Sequence, residues 1–239
     1  MKKLIKKVIR IILIPFVLKD FLMFKLQDKK SRFSLLVSDF YPQIKDKTIK
    51  TSFDAHYVYH TSWAARKVKE INPGRHTDIS SSLYFPGIVS AFTPVDFYDY
   101  RPADLKLSNL TSKSADLLKL PFEDGSVKSL SCMHTVEHIG LGRYGDPIDP
   151  EGDLKAIAEL HRVLGKGGSL LFVAPVGVPR IEFNAHRIYS YEQILSYFED
   201  LELREFTLIT DSGDLEENAN IEHVKEQNYG CGCFWFIKK

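Results

Sequence analysis

Six side chains able to do acid–base or ligand chemistry crowd into the 14 residues from His134 to Pro147, HTVEHIGLGRYGDP. They are His134, Glu137, His138, Arg143, Tyr144 and Asp146. An adjacent Glu137–His138 pair can act as the general base that removes a proton from a substrate hydroxyl. The same pair can instead hold a loop by bonding to backbone, and the residues alone leave both readings open. Read literally, His134 to His138 is also the H-x-x-E-H pattern of inverted zinc peptidases, which needs one helix carrying both histidines. Here it starts on an apolar run, and Gly140, Gly142 and Gly145 interrupt any long helix, so we expect no metal peptidase. No metal is required, although His134, His138 and His186 could recruit one. A second polar cluster, FNAHRIY at 183–189, offers Asn184, His186 and Arg187. Guanidinium forks and amides suit carboxylates or sugar-like hydroxyls, and a hydrogen-bonded loop without a ligand is the other reading.

Elements on either side must position these groups. VKSLSCMH reads as a strand, and Asp149-Pro150 reads as the N-cap and first turn of a helix that Gly165 stops. Leu154, Ile157, Leu160, His161 and Leu164 recur along it at helical spacing. Gly167-Gly168 then turns into SLLFVAP, an apolar run typical of a strand covered on both faces. Upstream, RHTDIS ends a first strand at Asp78-Ile79, SSSLYFPGIVSAF gives a turn and helix, and TPVDFYDYRP a second strand ending at Asp99. This is the strand–turn–helix–strand frame of a nucleotide-binding α/β unit, whose ligands gather at strand carboxyl ends. Such a unit needs backbone N–H groups that approach the ligand at the turn and an acid that accepts from ribose hydroxyls. Asp99 lies 21 residues beyond Asp78, the spacing expected for that acid. The turn has Ser80, Ser81 and Ser82, whose Cβ atoms narrow the approach while their hydroxyls can bond a carboxylate.

DAHYVYHTSWAARKVKEI reads as a helix of about three turns ended by Asn72-Pro73-Gly74. Its His56, Tyr57, His60 and Trp63 suit either ligand binding or packing at the sheet edge. Ser190 with Gln193 makes a capping box that opens a helix through Phe198. LELREFTLIT and CGCFWFIKK read as terminal strands joined by a charged connector, Asp211 to Asn228. Cys231 and Cys233 alternate with aromatics and read as buried thiols rather than metal ligands.

KLPFEDGSVKSLSCMHTVEHIG and DPEGDLKAIAELHRVLGKGGSLLFVAP resemble the second half of a class I S-adenosylmethionine-dependent methyltransferase. They match that family's H-x-x-E-H-I/L element and its R-V-L-x-x-G-G-x-L-x-x-x-x-P element. The resemblance runs in order over residues 75–239. EHIGLGRYGDP and FNAHRIYS look like a methyltransferase-like family of uncharacterised function. It implies an α/β, Rossmann-like sandwich with a seven-stranded, mostly parallel sheet and an antiparallel C-terminal edge pair. It also implies S-adenosylmethionine, held by Asp78, Ser80, Ser81, Asp99, Asp116, Leu117 and His134. Asp116 matches the position beside the adenine amine. Glu137 and His138 would be catalytic, and Arg143, Tyr144, Asn184, His186 and Arg187 would meet a small or saccharide-like acceptor. The chain departs from the family's D-x-G-x-G core, having serine at both glycine positions. The alternative is therefore a catalytically inactive methyltransferase-fold scaffold that binds a partner or a membrane.

The 239 residues are 44% apolar and 26% charged, which suits a soluble globular domain with an extension. The net charge of +1 is unevenly spread: residues 1–30 carry nine Lys/Arg against Asp20 and Asp28, leaving −6 on the remainder. An acidic body excludes nucleic acid as a general partner. Three cysteines provide no paired framework, as expected for a reducing, cytoplasmic setting. The basic, apolar N-terminus is too short in its apolar run, Ile11 to Leu18, to cross a bilayer. Residues 1–25 suit an interfacial helix on an anionic membrane's inner face or a helix packed on its own domain, and Pro15 should kink it. We expect a 1–30 extension, a 31–74 connector and leading helix, and a 75–239 methyltransferase-like domain.

Overall fold

A computed structural model describes residues 2–44 and 46–239, with side chains described from Leu13 onward except Lys45. The chain divides into two compact units, 1–53 and 54–239.

In the first unit, helix α1 (Lys2–Gln27) runs unbroken through Pro15. A single 3₁₀ turn follows at Val37–Asp39. Phe21 meets Phe40 edge-to-face, with ring centroids 5.5 Å apart, while Phe16, Leu22, Phe24 and Leu26 remain exposed. Among the described residues no helix is long and apolar enough to cross a membrane.

The second unit begins with α2 (Ala55–Ile71), capped by the Asp54 carboxylate accepting from Tyr57 N and closed by left-handed Asn72. It spans 17 residues, longer than three turns, with a buried face of His60, Trp63, Ala64 and Val68. Its inward side packs on a core holding Phe85, Val89, Phe97, Leu171 and Trp235. Next come β1 (His76–Ile79), α3 (Tyr84–Val89), β2 (Val95–Asp99), β3 (Leu110–Ser114) and β4 (Val127–Met133). Then follow α4 (Gly152–Val163), β5 (Leu164–Val176), the small hairpin β6 (Arg180–Glu182) and β7 (His186–Ile188), α5 (Tyr191–Tyr197) and β8 (Leu201–Ile209). The unit ends with β9 (Leu215–Glu217), α6 (Ile221–Lys225) and β10 (Gly230–Lys238).

Eight of these strands form one sheet in the order β3-β2-β1-β4-β5-β10-β8-β9. β1 to β5 run parallel, whereas β10 is antiparallel to both β5 and β8. The reversal at β1, from which β2 leads one way and β4 the other, is the crevice where doubly wound sheets bind ligands. The expected seven strands become eight because three connector residues, Leu215–Glu217, pair antiparallel to β8. The opposite face of the sheet packs α4 and α5 through Leu160, Phe172, Ile194, Phe198 and Phe234.

Two local expectations are corrected. Asp149 does not cap α4: its carboxylate binds Glu151 N, a turn before the helix, and its backbone N–H donates to Gly140 O. That commitment moves the helix start to Gly152. Nor does α4 stop at a glycine turn, for the chain passes directly from Val163 into β5. Gly165 is needed because a Cβ there would collide with the Gly125 carbonyl.

Candidate active site

Ser80 is the hinge of the site. It follows β1 with φ +57°, the left-handed region that costs a residue bearing a Cβ and that glycine occupies freely. Three contacts hold it there. Its N–H and Oγ both donate to Tyr98 O at the end of β2, at 2.7 and 3.2 Å. Thr135 Oγ1, beyond β4, donates to Ser80 O at 3.1 Å. The serine turn thus adopts a glycine-type backbone by tying itself to both neighbouring strands. Ser81 contributes its Oγ as acceptor for Met133 N at 3.2 Å.

Beneath the turn lies a buried polar chain. His76 bonds Ser129 Oγ at 2.7 Å and Ser131 Oγ at 2.8 Å, and Ser131 Oγ donates to Asp78 Oδ1. Asp78 Oδ2 has no hydrogen-bond partner. Burial raises the Asp78 carboxyl to about 7, opposed by the hydrogen bond from Ser131. Burial also lowers His76 to about 3.

On the β4 side, the 134–149 loop is built by alternating constraints. His134 has φ +54°, and Gly140, Gly142 and Gly145 are also left-handed. Asp146 gathers the loop by accepting from Gly140 N at 2.8 Å and Tyr144 N at 3.2 Å. Arg187 clamps it from below, donating to Ile139 O at 2.7 Å and Pro150 O at 3.2 Å, with Asp153 3.5 Å from its Nε.

The loop delivers its titratable groups to a cleft of about 850 Å³. Glu137 is fully buried on a 3₁₀ turn. Its Oε1 binds His134 Nδ1 at 2.9 Å and lies 3.8 Å from His138 Nε2, and its Oε2 has no hydrogen-bond partner. Burial lifts this carboxyl to about 7, opposed first by His138. His138 Nδ1 sits 2.6 Å from Ala185 O, a bond that fixes the tautomer with Nε2 as the proton acceptor. Burial lowers the His138 pKa, partly offset by Glu137. Tyr144 lies edge-on to His138, with ring centroids 5.7 Å apart, and beneath the guanidinium of Arg143.

The other wall comes from α2 and from the segment before β10. His56, Tyr57 and His60 share one helix face by their spacing. Their rings lie 5.9, 5.7 and 5.0 Å from that of His134. Tyr229 packs between His56 and His186, at 5.3 and 4.8 Å. Behind His134 lies the buried Cys231, whose Sγ is 3.3 Å from His134 Nε2.

Ser80, Ser81, His134, Glu137, His138, Arg143, Tyr144, Asn184 and His186 therefore meet around one cleft. Five other expected residues do not line it, among them Asp78, fully buried beneath the turn. Asp99 ends β2 one strand away, with Oδ1 on Arg101 N at 2.6 Å, and exposed Asp116 accepts from Leu118 N at 2.9 Å. Leu117 is buried in the core. Arg187 cannot serve as an acceptor ligand while its fork is spent on loop carbonyls and Asp153. Sequence reasoning passed over Asp54, Ala55, Met133, Ala185 and Tyr229, which also line the cleft. A face of His56, Tyr57 and His60 was the available signal for α2; Tyr229 had none.

Strand order, the switch point at β1 and the antiparallel β10 decide the architecture. The fold is that of the class I S-adenosylmethionine-dependent methyltransferases. Among solved structures, a Galdieria sulphuraria protein provisionally described as a sarcosine dimethylglycine methyltransferase is similar at TM-score 0.53 and 14% identity, covering 76% of this chain and 85% of that one. A Bacillus halodurans C-125 protein provisionally described as a methyltransferase is similar at TM-score 0.52 and 16% identity, covering 73% and 98%. The [4+2]-cyclase SpnF is similar at TM-score 0.50 and 14% identity, covering 74% and 79%. A family model described as "Caenorhabditis protein of unknown function, DUF268" matches residues 124–229, which span the 134–149 loop and end at Tyr229. A search of curated proteins returns no match.

Proposed function

We propose that this protein is an S-adenosylmethionine-dependent methyltransferase acting on an oxygen of a small or saccharide-like acceptor. One observation carries the reading: Ser80, at the first glycine position of D-x-G-x-G, holds φ +57°. The backbone required for close approach to a ligand is kept although the glycine is gone. The orphaned Asp78 Oδ2 beneath the turn and the Asp99 carboxylate at the end of β2 agree with such a site.

The bound cofactor would supply an electrophilic methyl carbon on a sulfonium. Asp99 would accept from ribose hydroxyls, Asp116 and the backbone around Leu117 would meet the adenine edge, and Ser80, Ser81 and His134 would border the methionine end. His138 Nε2 would take the acceptor's proton, with Glu137 beside it to stabilise the imidazolium. Tyr57, Tyr144, Tyr229, Arg143, Asn184 and His186 give the cleft alternating aromatic faces and polar tips, a lining suited to a sugar-like ring. About 850 Å³ is ample for such an acceptor beside a methyl donor. Placing reactants in line is most of the catalysis such a transfer needs.

The exposed apolar residues of α1 and the basic residues 1–25 support a cytoplasmic enzyme apposed to an anionic membrane surface. The test of the catalytic reading is binding of S-adenosylhomocysteine by the purified protein and its loss in Asp99→Ala. Absence of binding by the wild type would assign the protein to the scaffold alternative.

A further inference from the structure

His56, His134 and Cys231 come from three separate parts of the chain: the first turn of α2, the residue after β4 and the second residue of β10. Their ligand atoms nevertheless lie within 4.8 Å of one another. Nothing in local sequence brings them together; the sheet order does.

We propose that these three residues form a transition-metal site, best suited to Zn²⁺, whose fourth position opens into the cleft. Tetrahedral zinc with nitrogen at about 2.0–2.1 Å and sulfur at about 2.3 Å sets its ligand atoms roughly 3.3–3.6 Å apart. His134 Nε2 and Cys231 Sγ, at 3.3 Å, already match. His56 stacks on His134 with an interplanar angle of 6°, so a modest rotamer change of this half-buried side chain closes the set.

The surroundings of His134 are those of a metal ligand. Its Nδ1 binds the buried carboxylate oxygen of Glu137 at 2.9 Å, leaving Nε2 facing the thiol. A carboxylate on the far nitrogen of a ligating histidine fixes its tautomer and increases its basicity. A buried carboxyl with no cationic side chain in hydrogen-bond contact is costly unless charge is supplied nearby. A thiolate, two neutral imidazoles and Zn²⁺ sum to +1, which Glu137 balances. His60 adds an independent sign. It is fully buried and its Nε2 has no hydrogen-bond partner, yet its ring centroid is 5.0 Å from that of His134. An imidazole nitrogen left unpaired against the ring of His134 is a polar group this pocket does not satisfy; it is not one of the three ligands, so the fourth position stays open.

On loading, Cys231 gives its proton to solvent and its sulfur bonds the metal; no electrons change hands. Soft thiolate plus imidazole favours zinc or copper over magnesium or calcium. Three protein ligands with one open position is the pattern of catalytic zinc rather than structural zinc. A hydroxyl or thiol of the cleft's occupant would fill the fourth position and lose its proton more readily there. That role rests on the methyltransferase reading; the metal site does not.

Cobalt titration of the full-length, metal-stripped protein tests the site. The expected result is one Co²⁺ per chain, with visible bands of tetrahedral intensity and a near-ultraviolet thiolate-to-cobalt band, both displaced by Zn²⁺. Cys231→Ser should abolish the thiolate band, while Cys233→Ser keeps it. His56 is half-buried on a helix's first turn, so His56→Ala should fold and weaken Zn²⁺ binding. Glu137→Gln should weaken Zn²⁺ binding by about 10–100-fold. Octahedral cobalt without a thiolate band, or unchanged affinity in His56→Ala, overturns the proposal. Binding of S-adenosylhomocysteine by metal-stripped protein is read separately, so failure of one inference is distinguishable from failure of the other.

Discussion

Thr135 Oγ1 donates to the carbonyl of Ser80 at 3.1 Å, joining the residue after β1 to the residues after β4. That bond links the turn assigned to the cofactor with the loop carrying Glu137 and His138. The two halves of the proposed reaction are therefore mechanically one piece.

A left-handed Ser80 makes the turn sensitive to side-chain branching. Ser80→Val, which crowds φ +57° and loses the hydroxyl, should cost roughly 1–3 kcal/mol of stability. Ser80→Gly should stay within about 1 kcal/mol of wild type, because backbone relief offsets the lost hydrogen bond. Urea unfolding of the three proteins checks this ordering.

The Asp78–His76 network makes two opposed contributions to pH dependence. Asp78 is raised from its ordinary range to about 7. Its stability contribution is full below the unfolded pKa near 4 and is lost as pH rises towards 7. His76 is lowered to about 3, so its contribution is present above about 6.5 and is lost as pH falls towards 3. Asp78→Asn should remove only the first. Thermal melts should show the variant's midpoint rising relative to wild type between pH 4 and pH 7, by an amount that levels off above 7. A constant difference across this range would rule out Asp78 as the titrating group.

Arg187 is a loop clamp. Arg187→Ala should cost about 3–5 kcal/mol, since Asp153 loses its buried partner and the carbonyls of Ile139 and Pro150 lose their donors. Arg187→Lys should not restore stability, because one ammonium cannot reach carbonyls on both sides of the loop. Chemical denaturation measures the loss, and limited proteolysis should show earlier cutting between residues 139 and 150.

Gly140 has φ +79°, and a Cβ there would strike the Asp149 carbonyl. Gly140→Ala should destabilise the protein by more than about 1 kcal/mol, seen as a lower thermal midpoint. A neutral result would mean that the loop is not pinned at this contact.

Removing residues 1–25 should abolish co-sedimentation with anionic liposomes and leave binding to neutral liposomes unchanged. Basic residues near an anionic surface contribute about 1 kcal/mol each, so higher salt should release the full-length protein.

Much of the architecture was legible because strands and amphipathic helices announce themselves by period and cap. Ser190 caps α5 and Asn72 closes α2 as their types suggest. The Asp78–Asp99 spacing located the β1–β2 unit. β9 was not legible, because three residues of a charged connector become a strand only by meeting the edge of β8. Asp149 read as a helix cap, whereas its main chain is committed to Gly140. The 134–149 loop could be read from its density of polar groups. The facing wall could be read only in part, as the His56, Tyr57 and His60 face of α2: His56 and Cys231 lie 78 and 97 residues from His134, and only the sheet order joins them. For Arg187, residue type suggested a ligand, and only burial and partners revealed a clamp.

Isothermal titration calorimetry with S-adenosylhomocysteine tests the central claim most directly. The account predicts saturable binding at one site per chain, lost in Asp99→Ala and in Ser80→Val but kept in Ser80→Gly. Heats no larger than dilution for correctly folded wild-type protein would contradict it.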